Sequence, residues 1–121
     1  MSWNKLFLCA GLVLSLANVA PSQEAKCPSF QGKNRLVTVT VFDGPPEQRA
    51  DLIPDVSNGS GDHARAVWDV GYIFDSGRGL FLVCQFDGGA ANTVTVKVDK
   101  KVKRCTFRTH GATRPAEVGC K

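Results

Sequence analysis

Few side chains in this sequence could act as catalytic groups. Hydrolysis by a nucleophile needs a serine or cysteine beside a base, most often a histidine. The chain has two histidines, His63 and His110, and each lies in a predicted loop among glycine, threonine or aspartate residues. The Gly-x-Ser-x-Gly turn of serine hydrolases does not occur, and residues 58–61 lack both its pattern and its strand-to-helix setting. The sequence therefore predicts no catalytic residue and a protein that is not an enzyme.

Carboxylates are concentrated in one stretch of the sequence. They are Asp43, Glu47, Asp51 and Asp55. Two carboxylates in one cleft could hydrolyse a glycosidic bond, whereas the same spacing on a helical turn gives only a soluble acidic face. Because rigid scaffolds present binding groups on loops, we interpret the four as a candidate partner-binding loop, together with the glycine- and serine-rich residues 56–62. A small hydrolase is the alternative.

The cysteines of the predicted mature chain could either bind zinc or form two disulfides. They are Cys27, Cys84, Cys105 and Cys120. Zinc sites usually take cysteines in pairs about two to four residues apart, and here neighbouring cysteines are 15 or more residues apart. An even number of cysteines in a small exported domain is typical of disulfides. The chain also lacks a phosphate-binding loop, a dinucleotide fingerprint and a histidine–glutamate zinc motif, so we expect no metal and no cofactor.

The first 22 residues have the layout of a bacterial signal peptide. Lys5 supplies a positive charge, residues 6–16 form an apolar run, and small residues suited to cleavage follow between positions 17 and 22. The apolar run is too short to span a bilayer, and no later segment is long and apolar enough. We therefore expect one domain over residues 23–121, periplasmic or secreted, in a compartment where disulfides persist.

Alternating and apolar runs predict a mainly β fold of about six strands. The strands are expected at 35–42, 66–70, 80–86, 93–98, 102–108 and 116–120. Residues 80–86 are apolar at nearly every position, which indicates a central strand covered on both sides. Pro46 favours one short helix that runs to Leu52, and residues 56–63 have the composition of a flexible loop. We expect a small antiparallel sheet or open barrel, packed by this helix and fastened by two disulfides.

The predicted strand order distinguishes the three ways of pairing four cysteines. A hairpin of the last two strands, turning at residues 112 and 113, places Cys105 directly opposite Cys120. Opposed residues lie about 4.5–5.5 Å apart at Cα, within reach of a disulfide. In a simple meander, Cys84 and Cys105 are two strand spacings apart, about 9–10 Å, which is too far. We therefore predict Cys105–Cys120 and Cys27–Cys84, the second fastening the N-terminal segment to the central strand.

Charge is distributed unevenly along the chain. Residues 23–96 carry six basic and nine acidic side chains, whereas residues 97–121 carry eight basic and two acidic ones. The basic stretch could bind an anionic polymer of the cell envelope, or its lysines could only keep a sheet edge soluble. Nucleic acid is not expected, because no aromatic residues alternate with the basic ones to stack on bases. The candidate anion-binding residues are Lys100, Lys101, Lys103, Arg104 and Arg108.

Several short motifs follow one another along the mature chain. They are Cys27-Pro28, Asp43-Gly-Pro-Pro46, Trp68, Leu82-Val-Cys-Gln-Phe86, Lys103-Arg-Cys105 and Cys120-Lys121. In this order they resemble a family of small, exported, uncharacterised proteobacterial proteins with a Cys-Pro start, an Asp-Gly-x-Pro segment and an aromatic-x-Cys-x-aromatic strand. The resemblance covers nearly all of residues 23–121. It implies a periplasmic location and a shared β-rich fold, and it implies no activity.

The sequence favours a non-catalytic binding or inhibitor module of the cell envelope. Small size, cross-links and the scarcity of catalytic groups support this interpretation, and the partner would be another envelope protein. Binding of an anionic polymer through the basic C-terminal segment is a second hypothesis. A small hydrolase that uses the acidic cluster is a third.

Overall fold

A computed structural model describes residues 25–121, and this part of the chain is built almost entirely from β-strands. The strands are β1 (Phe30–Gln31), β2 (Asn34–Asp43), β3 (Val56–Asn58), β4 (Arg65–Asp69), β5 (Leu80–Phe86), β6 (Thr93–Val98), β7 (Arg104–Arg108) and β8 (Glu117–Cys120). One α-helix, α1, spans Gly71–Ser76, and single 3₁₀ turns span Pro46–Gln48 and Gly61–His63. The predicted signal peptide at residues 1–22 lies outside the described residues.

The strands form two antiparallel sheets of four, and neither sheet closes into a barrel. The first sheet has the order β1-β2-β5-β6, and the second has the order β3-β4-β7-β8. Their inner faces share one core, to which the first sheet contributes Leu82 and Phe86 and the second contributes Trp68 and Val118. The mainly β, antiparallel fold with two disulfides is confirmed. The chain nevertheless builds two sheets where the sequence suggested one.

The expectation of a simple meander is wrong. Strand β6 pairs with β5 in the first sheet, whereas β7 pairs with β4 and β8 in the second. The turn after β6 therefore passes between sheets instead of making a hairpin. Val102, which follows this turn, is buried in the shared core and anchors the crossing.

Strand β5 has one buried and one half-buried face, so the prediction of cover on both sides is wrong. Leu80, Leu82, Cys84 and Phe86 are buried, while the residues between them are half-buried. Opposed residues share a face of a sheet. The outer side chain of Phe81 accordingly lies between Phe42 of β2 and Lys97 of β6.

The helix predicted from Pro46 to Leu52 is limited to a single 3₁₀ turn. Arg49 ends the turn in a left-handed conformation with φ 60°. The chain then runs beside the end of β2, where the amide of Asp43 donates to the carbonyl of Ala50 at 3.0 Å. The α-helix instead begins at Gly71, in a stretch that the sequence did not single out.

The flexible loop predicted at 56–63 contains ordered elements. Strand β3 pairs with β4, with Asn58 opposite Arg65, and the 3₁₀ turn Gly61–His63 follows. Gly59 makes the tight turn possible, since it has φ 73° and a Cβ there would lie 2.0 Å from the carbonyl oxygen of His63. Composition alone could not reveal this hairpin, because its strand has only three residues.

The cysteines pair as the hairpin register predicted. Cys105 and Cys120 are opposite one another on β7 and β8 and are bonded, with a Cα separation of 4.0 Å. Cys27 is bonded to Cys84 of β5, with a Cα separation of 5.7 Å. The segment around Cys27 lies along β8, since its amide donates to the carbonyl of Val118 at 3.2 Å. The Cys27–Cys84 disulfide therefore links the two sheets.

Candidate functional site

Residues 50–56 pass from the edge of the first sheet to the edge of the second, and we call them the crossing segment. At one end the amide of Leu52 donates to the carbonyl of Val41 in β2, at 2.8 Å. At the other end the amide of Asp55 donates to the carbonyl of Val67 in β4, also at 2.8 Å. Both sheets therefore hold the crossing segment in place.

The middle of the crossing segment is hydrogen bonded to a core residue on one side and exposed to solvent on the other. The indole Nε1 of Trp68 donates to the carbonyl oxygen of Leu52 at 3.1 Å, and the Trp68 side chain is part of the core. The next residue, Ile53, is 86% exposed. A backbone held by both sheets thus presents a branched apolar side chain to solvent.

Tyr72, at the start of α1, lies near two of the predicted acidic residues. The tyrosine is 50% exposed. Partial burial, followed by the negative charges of Asp43 and Asp55, raises the pKa of its hydroxyl group above the ordinary value. Val56, which follows Asp55, is also exposed. We call Ile53, Val56 and Tyr72, with the carboxylates of Asp43 and Asp55, the tyrosine surface.

The carboxylates of the tyrosine surface are held in fixed orientations. Asp43 accepts two hydrogen bonds from Arg78, from Nε at 2.6 Å and from Nη2 at 2.7 Å. This charge-assisted pair raises the pKa of the Arg78 guanidinium. Asp55 accepts a hydrogen bond from the amide of Asp69 at 2.6 Å. Both carboxylates are therefore already ordered before any partner arrives.

The four predicted acidic residues occupy two different environments. Asp43 and Asp55 are part of the tyrosine surface. Glu47 lies in the 3₁₀ turn, and the backbone of Asp51 forms an isolated β-bridge with that of Phe42. Glu47 and Asp51 are both exposed. The sequence pattern missed Ile53 and Tyr72. Ile53 lies between Leu52 and Pro54, and this short apolar stretch does not show which of its side chains is exposed.

A groove of about 520 Å³ crosses the outer face of the second sheet. Its cations come from strands β4 and β7, from the residue that follows β8 and from the N-terminal segment, while Thr106 and Gly119 lie between them. We call it the basic groove, and its cationic lining residues are Lys26, Arg65, Arg104, Arg108 and Lys121.

Only two of the five predicted anion-binding residues line the basic groove, namely Arg104 and Arg108. Lys101 lies in the connection after β6 and pairs with Asp75 of α1 at 3.1 Å. Lys100 and Lys103 are exposed in the same connection. The sequence pattern missed Arg65, because the register that places it opposite Arg108 joins strands far apart in the chain.

A second cavity of about 510 Å³ adjoins the basic groove and shares Arg65 and Arg108 with it. Both histidines of the chain, His63 and His110, line this cavity together with Arg114. The Nε2 atom of His110 lies 3.1 Å from Oε1 of Glu117. Within residues 25–121, histidine, cysteine, aspartate and glutamate side chains form no cluster of three or more that could hold a metal ion.

Comparison with protein families decides which kind of protein carries these surfaces. Residues 31–121 match the family described as type VI secretion system Tli immunity protein. The chain belongs to this family. No curated protein and no solved structure matches it.

The Tli immunity family match covers strands β2 to β8 and therefore both sheets. It agrees with the resemblance to a small proteobacterial family, although the individual motifs stay predictions. Cys27-Pro28 precedes the matched range. Among residues 25–121, no helix combines the length and the apolar character that crossing a membrane requires.

Proposed function

We propose that this chain is a periplasmic immunity protein that binds and neutralises an effector of a type VI secretion system without catalysing a reaction. The observation that carries the proposal is the family match over residues 31–121. The two disulfides support export to an oxidising compartment. On this proposal residues 1–22 are the signal peptide that directs export, and the domain begins near residue 23.

The tyrosine surface is our candidate for the contact with the effector. The affinity of an interface depends on a few side chains that become buried on binding, and tyrosine is enriched among them. Ile53 lies on the crossing segment, which both sheets hold in place, and Tyr72 lies in α1 beside the buried Ile73. Little ordering entropy would therefore be lost when they dock. The exposed carboxylate of Asp55 beside them would select basic groups on the partner, whereas Asp43 is already paired with Arg78.

The proposal can be tested by co-expression in the bacterial periplasm. Candidate effectors encoded by neighbouring genes are expressed with and without the immunity protein, and cell survival is measured. Wild-type protein should protect against its cognate effector and bind it in a purified mixture. If it protects against none of these effectors and binds none, the proposed function is wrong.

The role of the tyrosine surface is tested by Tyr72→Ala and Ile53→Ala. Each substitution should weaken binding by roughly 30-fold, which corresponds to a hot spot of about 2 kcal/mol. Phe30→Ala is the matched control, because Phe30 is an aromatic residue of similar exposure, 54%, on β1 of the first sheet. Equal affinity for Tyr72→Ala, Ile53→Ala and Phe30→Ala would exclude this surface from the interface.

A further inference from the structure

The outer face of the second sheet places two arginines directly opposite one another. Arg65 of β4 is the cross-strand partner of Arg108 of β7. The neighbouring pair, Ala64 and Thr109, is hydrogen bonded, with the amide of Thr109 donating to the carbonyl of Ala64 at 2.9 Å. Arg65 and Arg108 therefore form a non-hydrogen-bonded pair, the kind in which side chains come closest.

Neither arginine of this pair forms a salt bridge within the described part of the chain. The salt bridges of residues 25–121 include neither Arg65 nor Arg108. Glu117 lies opposite Arg108 on β8, but its carboxylate contacts His110 at 3.1 Å. Like charges directly opposite one another destabilise a sheet, so the arrangement is unfavourable for the isolated protein.

The surroundings of the two arginines are also basic and concave. Arg104, Lys26 and Lys121 line the same groove, and Nε of Arg104 lies 3.2 Å from Oδ1 of Asp69. Glu117 is the acidic residue of the lining, and it lies opposite Arg108. Gly119 leaves the middle of the groove open, since a Cβ at this position would meet no atom within 4 Å. Arg114 and the two histidines extend the basic lining into the adjoining cavity.

We infer that the basic groove binds an extended acidic segment of the effector, and this inference rests on the proposed function. Guanidinium groups bind carboxylates through paired hydrogen bonds, and two adjoining cavities can accept several carboxylates along one chain. A membrane surface is flat and would not reach the floor of a groove. The bound carboxylates relieve the repulsion between Arg65 and Arg108, so a partner gains affinity from strain in the free protein.

The groove also continues the tyrosine surface. Asp55 contacts the amide of Asp69, and the carboxylate of Asp69 contacts Arg104. Val56 lies opposite Val67 on the same face as Arg65. One effector could therefore cover both surfaces, with basic groups at the tyrosine surface and acidic groups in the groove.

The test removes two positive charges from the groove with Arg65→Gln and Arg108→Gln in one protein. Lys33→Gln with Lys100→Gln is the matched control, because it removes the same charge from two exposed turns outside the groove. Binding to the cognate effector and to an oligo-glutamate peptide is measured by calorimetry at low and high salt. Thermal unfolding of each variant is measured in parallel.

The groove variant should bind the effector and the peptide roughly tenfold more weakly than wild type, as expected when charge-assisted hydrogen bonds are lost. Its dependence on salt should become shallower, and its melting temperature should be equal to or above that of wild type. The control variant should keep wild-type affinity. Unchanged binding by the groove variant, or an equal loss in both variants, would overturn the inference.

A third arm measures sedimentation with phosphatidylglycerol vesicles. Wild-type protein should not sediment with them. If it does so through Arg65 and Arg108 while effector affinity stays unchanged in the groove variant, the groove is a membrane site and the inference is wrong. If the wild type neutralises no effector, the proposed function fails, and the peptide measurement alone then decides whether the groove recognises acidic chains.

Discussion

At the scale of single residues, Tyr72 reports on its charged surroundings. It is the only tyrosine in the chain, so its titration can be followed by ultraviolet absorption without interference. Partial burial and the nearby carboxylates of Asp43 and Asp55 disfavour the phenolate and raise the pKa of Tyr72. We expect a titration midpoint above 10.0, the ordinary value.

The raised pKa of Tyr72 also determines how the free energy of unfolding changes with pH. The folded protein holds the phenol proton more tightly than the unfolded chain, so the proton contributes stability that is lost as the pH rises through the raised pKa. Asp55→Asn should move the midpoint back toward the ordinary value. Asp99→Asn, which removes a charge from the turn after β6, should leave it unchanged. A wild-type midpoint at or below 10.0 would show that the carboxylates do not act on Tyr72.

Trp68 supports a second prediction at this scale, because its indole holds the crossing segment. Trp68→Phe keeps an aromatic ring in the core but leaves the carbonyl of Leu52 without its donor. We expect the free energy of unfolding to fall by about 1 kcal/mol for the lost hydrogen bond, with a further loss from the smaller ring. Urea unfolding measures the change, and hydrogen exchange at the Leu52 amide should become faster. Unchanged exchange would mean that the indole does not restrain this segment.

At the scale of elements, the turn between β3 and the 3₁₀ turn Gly61–His63 depends on Gly59. Gly59→Ala would place a Cβ against the carbonyl oxygen of His63 and force a left-handed conformation on alanine. Gly61→Ala is the matched control, since its φ of 56° is also left-handed but a Cβ there has open space.

We expect Gly61→Ala to lose about 1–2 kcal/mol of stability, the ordinary penalty for a left-handed alanine. Gly59→Ala should lose clearly more and should weaken the pairing of β3 with β4. Chemical denaturation gives the two free energies, and amide exchange at Val67 reports on the strand pairing. Equal losses in the two variants would show that β3 does not require the tight turn.

Sequence patterns predicted individual strands, but they did not predict which strands pair when those strands are far apart in the chain. Strands β5 and β6 have the predicted bounds, and the Cys105–Cys120 register follows from one hairpin. The separation of β6 from β7 depends on a turn that can either reverse or cross between sheets, and composition does not distinguish these outcomes. The sequence predicted only part of the basic groove for the same reason. Arg65 and Arg108 are 43 residues apart in the sequence, and only the pairing of β4 with β7 makes them neighbours.

At the scale of the whole molecule, one disulfide lies within a hairpin and the other links the two sheets. Cys105–Cys120 closes 15 residues within a hairpin that the second sheet already holds together. Cys27–Cys84 closes 57 residues and joins the N-terminal segment beside β8 to the first sheet. A domain of this size has a small core, so a cross-link between its two sheets stabilises their packing directly.

We therefore expect the two disulfides to differ in their effect on stability. In the loop-entropy model, removal of Cys105–Cys120 costs about 3 kcal/mol and removal of Cys27–Cys84 about 4 kcal/mol, because the second closes the longer loop. Double serine variants of each pair, compared by urea unfolding, measure the difference. If the Cys105–Cys120 variant proved the less stable of the two, the hairpin and not the contact between sheets would limit unfolding. The tyrosine surface, whose crossing segment is bonded to both sheets, would then be expected to keep its affinity for an effector in the Cys27–Cys84 variant.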